Sequence, residues 1–66
     1  MARIAGVNIP TEKRIEAALQ YIHGIGPAKS AQICKDLKLK DGLRAKDLTD
    51  EDIVRISNYI EHHLLP

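Results

Sequence analysis

The stretch Tyr21-Ile22-His23-Gly24-Ile25-Gly26-Pro27-Ala28-Lys29-Ser30-Ala31-Gln32-Ile33 decides how this chain folds, because it holds a helix end, a tight reversal and a fresh helix start. Reading backwards from Ile22, apolar residues recur at Leu19, Ala18 and Ile15 in three- and four-residue steps, the pattern of an amphipathic helix. Gly24 stops that helix, as a residue free to take a positive φ. Pro27 suits the first turn of a second helix, where its missing N–H is not needed, and Ala28, Ala31, Ile33, Cys34 and Leu37 supply apolar positions around it. The arrangement has the form of a helix-hairpin-helix. The two glycines allow a tight, strained backbone to approach a ligand closely, and Ile25 between them anchors the loop by pointing into the core. Ala31 is small enough to let the helices sit close.

The chemistry this segment offers is backbone chemistry. The start of a helix presents N–H groups without partners and a partial positive charge, which together form a phosphate site. Lys29 and the Ser30 hydroxyl stand beside it, so Gly24, Ile25, Gly26, Lys29 and Ser30 are the candidate contact residues. Such contacts position a nucleic acid without reading its bases. A bare Gly-x-Gly is equally the turn of an unliganded helical hairpin. Ile22, Pro27, Ala31 and Ile33 around it shift the reading toward nucleic acid.

Outward from the hairpin, the first helix is expected over 12–23, with Thr11 as N-cap and Glu12 favourably placed in the first turn. Residues 1–10 contain Gly6 and Pro10 and lack helical spacing, while Ala5, Val7 and Ile9 alternate, which predicts an extended arm lying with one apolar edge on something. The second helix is expected from Pro27 to Leu37 or Lys38. A connection over 38–47 carries the Asp41-Gly42 turn signal, with Leu39 and Leu43 tucking back onto the core. Thr49 and Asp52 resemble a capping box in which Asp, with its shorter reach, replaces Glu or Gln. Asp50, Glu51 and Asp52 all suit a positive helix N-terminus, and Ile53, Ile56, Ile60 and Leu64 then form the buried stripe of a third helix. The expected fold is one all-α domain over 1–66, an arm over 1–10 followed by three short helices over 11–66.

Composition narrows the function. With 66 residues, 44% of them apolar, two Tyr, no Phe and no Trp, the chain builds one small unit with a core of Ile, Leu and Ala. Such a core leaves little with which to support a catalytic cleft, and no acid-base pair, metal cluster or nucleophile-base arrangement is visible, so a binding protein without cofactor or metal is expected rather than an enzyme. The longest apolar runs are far below the ~20 residues that span a bilayer, and the N-terminus lacks a signal-type block, so a soluble intracellular chain is expected. Cys34, on the apolar side of the second helix, reads as a small core residue. His23 reads as a helix C-terminal cap with RNA contact as a second role, and the adjacent His62 and His63 point about 100° apart on a helix and do not chelate.

The net charge of +1 conceals an uneven layout. Residues 1–46 hold nine Lys or Arg against four acids, and residues 47–66 hold Arg55 against five. A basic first part and an acidic last helix suggest two faces with different partners. Arg3, Lys13 and Arg14 join the hairpin as candidate phosphate contacts. Asp50, Glu51 and Asp52 complement the helix dipole first and form a candidate protein-binding patch second.

Met1-Ala2-Arg3-Ile4-Ala5-Gly6-Val7-Asn8-Ile9-Pro10, then Lys13-Arg14, Ala18-Leu19, Tyr21-Ile22-His23-Gly24-Ile25-Gly26, Ala31, Ile33-Cys34 and Lys46-Asp47-Leu48-Thr49, resemble the N-terminal half of bacterial-type small-subunit ribosomal protein thirteen. The opening decapeptide is the most specific part, since helix-hairpin-helix repair proteins do not start that way. The resemblance implies an all-α helix-two-turn-helix domain in the head of the small ribosomal subunit. It implies binding to small-subunit rRNA, a neighbour in small-subunit protein nineteen, and an intersubunit bridge with large-subunit protein five. It places the chain in the cytoplasm, in the ribosome, with a mitochondrial or plastid ribosome left open. Contact with peptidyl-site tRNA is implied only for a basic C-terminal half, which lies beyond Pro66. Two other readings stand beside it: a DNA-binding helix-hairpin-helix module of a repair or recombination protein, and a protein-protein adaptor working through the acidic third helix.

Overall fold

The computed structural model describes the backbone of residues 2–64 and the side chains of residues 3–63. The expected extended arm is extended, but it folds back on itself. β1 (Ala2–Ile4) and β2 (Val7–Ile9) pair antiparallel, with Arg3 opposite Asn8 and Ile4 opposite Val7. The two residues between them, Ala5 and Gly6, have φ of 51° and 79°, the double positive φ of the turn whose twist matches paired strands. Residues directly opposed in such a ladder share a face. Ile4, Val7 and Ile9 therefore turn inward, with Ile4 and Ile9 fully buried, and Arg3 and Asn8 turn outward. The hairpin lies on the third helix, where the Ala5 N–H donates to Ser57 Oγ at 3.3 Å.

The first helix starts later and ends earlier than its periodicity predicts. α1 spans Ile15–Ala18 and tightens into a 3₁₀ turn over Leu19–Tyr21. Its missing first turn is used elsewhere. The carbonyls of Thr11 and Lys13 accept from the N–H groups of Lys46 and Ala45, each at 3.0 Å, and the Ile15 N–H donates to the Leu43 carbonyl at 2.8 Å. Arg14 and Arg44 form an antiparallel bridge in the middle of this pairing, and the Arg44 guanidinium donates to the Glu12 carbonyl. Carbonyls spent on a neighbouring segment do not accept from the next turn of a helix. Thr11 consequently caps nothing, and the N-cap position falls to Arg14, which gives no side-chain bond.

α2 spans Pro27–Asp36, with Pro27 in its first turn as expected. It closes through Lys38, whose φ is 55°: the Lys38 N–H donates to the Lys35 carbonyl at 3.2 Å and the Leu39 N–H to the Cys34 carbonyl at 2.9 Å. This pair of bonds is the Schellman closure, here with Lys where Gly is usual. Beyond it Leu39, Leu43 and Leu48 pack on the core, and Ala45, in a short 3₁₀ turn over Ala45–Asp47, is buried.

α3 spans Asp50–Tyr59 and runs on into a π-type turn over Ile60–Leu64. The shorter Asp closes the capping box after all: the Asp52 N–H donates to Thr49 Oγ1 at 3.1 Å and the Thr49 N–H to Asp52 Oδ2 at 3.2 Å. Of the expected stripe, Ile56 and Ile60 are fully buried and Ile53 is half-buried, while the side chain of Leu64 lies outside the described residues. α3 is tied to the end of α2 by polar contacts. The Arg55 guanidinium donates to the Leu37 carbonyl at 2.8 Å, supplying a cation where the helix dipole is negative. The Tyr59 hydroxyl donates to Asp36 and accepts from the Gln32 amide at 3.3 Å.

Candidate nucleic-acid interface

The hairpin between α1 and α2 is built by two buried isoleucines and one glycine in the left-handed region. Ile22 leaves the 3₁₀ turn in extended conformation, and the Ile25 N–H returns to its carbonyl at 3.0 Å. Both side chains enter the core, as the anchor role of Ile25 requires. Gly24 between them has φ of +87°, a conformation that other residues resist.

Gly26 corrects the expectation that both glycines serve the turn. Its φ of −95° and ψ of −172° are extended backbone open to any residue. A Cβ built on it meets no atom within 4 Å. Neither backbone nor packing within the described residues calls for glycine there. What its missing side chain leaves clear is the start of α2. The Gly26, Ala28 and Lys29 N–H groups have no acceptor among the described residues, Pro27 has no N–H to offer, and the first helical bond is from the Ser30 N–H to the Gly26 carbonyl at 2.9 Å. Three amides and the dipole of a ten-residue helix thus face solvent, with the exposed Lys29 ammonium beside them and no ion pair drawing it away among the described residues.

Ser30 is the second correction. Its side chain is fully buried, and its hydroxyl donates to the Glu16 carbonyl on α1, so it does not stand at the phosphate site. Ala31, expected to let the helices approach, is exposed. The small residue at the α1–α2 contact is Ser30. The signal for this was present in the spacing: Ser30, Ile33 and Leu37 fall on one helical stripe, which a polar residue joins when its hydroxyl has a partner across the interface.

The remaining candidate cations do not gather at the hairpin. Lys13 and Arg14 are exposed on the segment entering α1, so α1 and its 3₁₀ turn, roughly 12 Å of helix, separate them from Gly24. Arg3 projects from the outer face of the β-hairpin. In the acidic patch Asp52 is committed to its cap and to Arg55, 3.6 Å away, leaving Asp50 and Glu51 exposed in the first turn of α3.

The other titratable groups are structural. Cys34 is half-buried; burial pushes its thiol pKa up, and the Glu16 carboxylate adds to the effect. The hydrogen bond Tyr59 donates to Asp36 raises the phenol above its ordinary value. The His63 ring stacks on Tyr59 at 4.6 Å between centroids. Among the described residues no group of three or more His, Cys, Asp or Glu is placed to hold a metal, and no helix is long and apolar enough to cross a membrane.

A helical hairpin whose second helix starts on amides without acceptors among the described residues, carried on a small helical body with a strand pair laid across it, defines a class of protein: a compact helical module with an N-terminal strand pair. Comparison with known proteins makes the class specific. The profile described as ribosomal protein S13/S18 matches residues 3–65, and the chain belongs to that family. It is 52% identical over 64 residues to the small ribosomal subunit protein uS13 of Endomicrobium trichonymphae, covering 97% of this chain and 49% of that protein. To the small ribosomal subunit protein uS13 of Leifsonia xyli subsp. xyli (strain CTCB07) it is 49% identical over 61 residues, covering 92% of this chain and 49% of that one. The chain therefore spans about half the length of these curated relatives. The family is one of ribosomal proteins.

Proposed function

We propose that this chain is an rRNA-binding domain of a small-subunit ribosomal protein, acting in translation in the cytoplasmic ribosome, and that it holds small-subunit rRNA through the start of α2. The observation that carries the reading is the set of amides at Gly26, Ala28 and Lys29, unspent within the described residues and left uncovered by a glycine that the fold itself does not call for. A phosphate oxygen set there accepts from oriented N–H groups that need no reorganisation, gains from the helix dipole, and is neutralised by Lys29. Gly24 and Ile25 act one step back, fixing the loop so that the amides converge. Arg3, Lys13 and Arg14 add longer-range attraction at other points of the surface. In the subunit head the partner on the acidic side is a protein: Asp50 and Glu51 are the contact residues toward small-subunit protein nineteen or, in a bridge between subunits, large-subunit protein five.

The test is a salt titration of the parent and of Lys29→Ala against a head-domain rRNA fragment and a random duplex of equal length. Three to five phosphate contacts, some of them made by backbone amides rather than cations, predict a log-log slope of about −2 to −4, at roughly −0.9 per neutralised phosphate. The rRNA reading expects preference for the rRNA fragment and a shallower slope for Lys29→Ala. Equal binding to both nucleic acids, with no effect of Lys29→Ala, would leave only general polyanion attraction.

A further inference from the structure

At the end of α1 and α2 away from the hairpin, the helices and the following loop enclose an open cleft of about 360 Å³. Cys34, Leu39 and Leu43 contribute its apolar floor. Arg14, Lys35 and Lys40 stand around it, all exposed and none ion-paired among the described residues, against Glu16 and Asp41. Its volume is in the range of sites that take a small planar group. From Lys29 to Lys35 is six residues of helix, about 9 Å along its axis and about 120° around it.

We propose that this cleft is a second RNA site, one that seats an unpaired nucleotide with its base between the Cys34–Leu39–Leu43 floor and the Arg14 guanidinium and its flanking phosphates on Lys35 and Lys40, while the hairpin holds the same RNA. The proposal rests on the rRNA reading above and deepens it. Single-stranded RNA is recognised by bases splayed onto aromatic or guanidinium planes combined with cations that follow the backbone, and in the cleft Arg14, over the apolar floor, supplies the first element and Lys35 and Lys40 the second. The placement gives Arg14 a role that its distance from the hairpin otherwise denies it. It also gives one to Lys35 and Lys40, which no motif in the sequence singles out.

Cys34, the chain's one thiol, makes the cleft self-reporting. Its alkylation rate in alkaline buffer is to be followed on the 66-residue chain alone, with a head-domain rRNA transcript containing unpaired loops, with a fully paired duplex of equal length, and with polyglutamate. Expected are slower alkylation with the loop-containing transcript and an unchanged rate with the duplex. In Lys35→Gln/Lys40→Gln the transcript's protection is lost and the salt slope is shallower by about 1.4, two phosphates at ~0.7 each for single strands. Alkylation of that variant without RNA, at the parent's rate, verifies that its cleft is intact. Transcript binding that leaves Cys34 fully reactive and the variant's slope unchanged would overturn the cleft site and leave the hairpin reading standing. Protection by polyglutamate alone would assign the cleft to an acidic protein partner and overturn it too. Failure of the parent to bind the transcript at all would remove both readings.

Discussion

Replacing Gly26 by Val separates the fold from the function. At φ −95° and ψ −172° the backbone is in the region that β-branched residues favour, and no atom lies within 4 Å of the new Cβ. Substituting glycine at a compatible site stabilises by about 0.4–1 kcal/mol through the unfolded chain, whereas losing glycine at an N-cap position costs a similar amount. The two nearly cancel, so stability should stay within about 0.5 kcal/mol and the melting temperature within ~4 °C of the parent. Binding should not be spared. The branched side chain stands beside the Gly26, Ala28 and Lys29 amides, and loss of even one hydrogen bond to a charged oxygen costs about 1.5–3 kcal/mol. At 1.4 kcal/mol per decade, Kd for the head-domain rRNA fragment should rise about 10- to 150-fold. Circular dichroism melts and fluorescence-anisotropy titrations at one fixed salt concentration measure the two quantities on the same preparation. A variant that melts and binds like the parent would refute the placement of the phosphate at these amides. One that melts more than ~8 °C lower would refute the claim that the fold does not need glycine there.

Three further outcomes follow from the same geometry. Lys38→Gly should raise stability by about 1 kcal/mol and the melting temperature by roughly 4–8 °C, because it places glycine in the left-handed position that closes α2, and a thermal melt checks it. Ser30→Ala should destabilise by about 0.5–1.5 kcal/mol through the lost bond to the Glu16 carbonyl, with rRNA affinity at low temperature unchanged, since the hydroxyl is buried away from the amides; urea unfolding and binding at 10 °C, roughly, test the pair. The Cys34 thiol is raised in the folded state, so the unfolded chain loses its proton first as pH rises: its contribution to stability is whole below the unfolded thiol's pKa and is lost as pH climbs through the folded value. Denaturation midpoints falling with alkaline pH in the parent, and falling less in Cys34→Ala, are expected.

Much of the fold was legible because its apolar spacing is regular where helices are regular. The start of α2 at Pro27, the stripe of α3 and the positive φ of Gly24 are local events, written in neighbouring residues. The misreadings share a physical cause in distance along the chain. Thr11 and Glu12 look like a helix start, but the carbonyls of Thr11 and Lys13 are taken by residues 45 and 46, which local propensity does not register. The alternation of Ala5, Val7 and Ile9 signals extension but not the fold-back, because Ala at a positive-φ turn position lacks the Asn or Asp that ordinarily announces such a turn. At the candidate site, Lys29 and the amides followed from the motif. The exchange of roles between Ser30 and Ala31 did not follow from the motif but from helical phase, in which Ser30 shares the stripe of Ile33 and Leu37 and Ala31 stands about 100° away.

Because the proposed phosphate site is made of backbone, it exists only while α2 is folded, and RNA binding there would be coupled to stability more tightly than binding to a set of exposed lysines. The core offers aliphatic side chains without Phe or Trp, in a chain of 66 residues, and burial on that scale is nearly offset by ordering the chain. A ligand that binds only the folded form adds RT ln(1 + [L]/Kd), about 2.7 kcal/mol at one hundred times Kd. For a domain of this size that corresponds to a rise of roughly 10–20 °C in melting temperature. Gly26→Val should keep the melting temperature of the free chain and lose most of this rise at the same RNA concentration. Exposed cations bind the unfolded chain as well as the folded one, so attraction through them alone predicts a small rise that added salt abolishes. A rise that is equally small in the parent and in the Val variant would mean that the RNA is held by charge, with the start of α2 having no part in it.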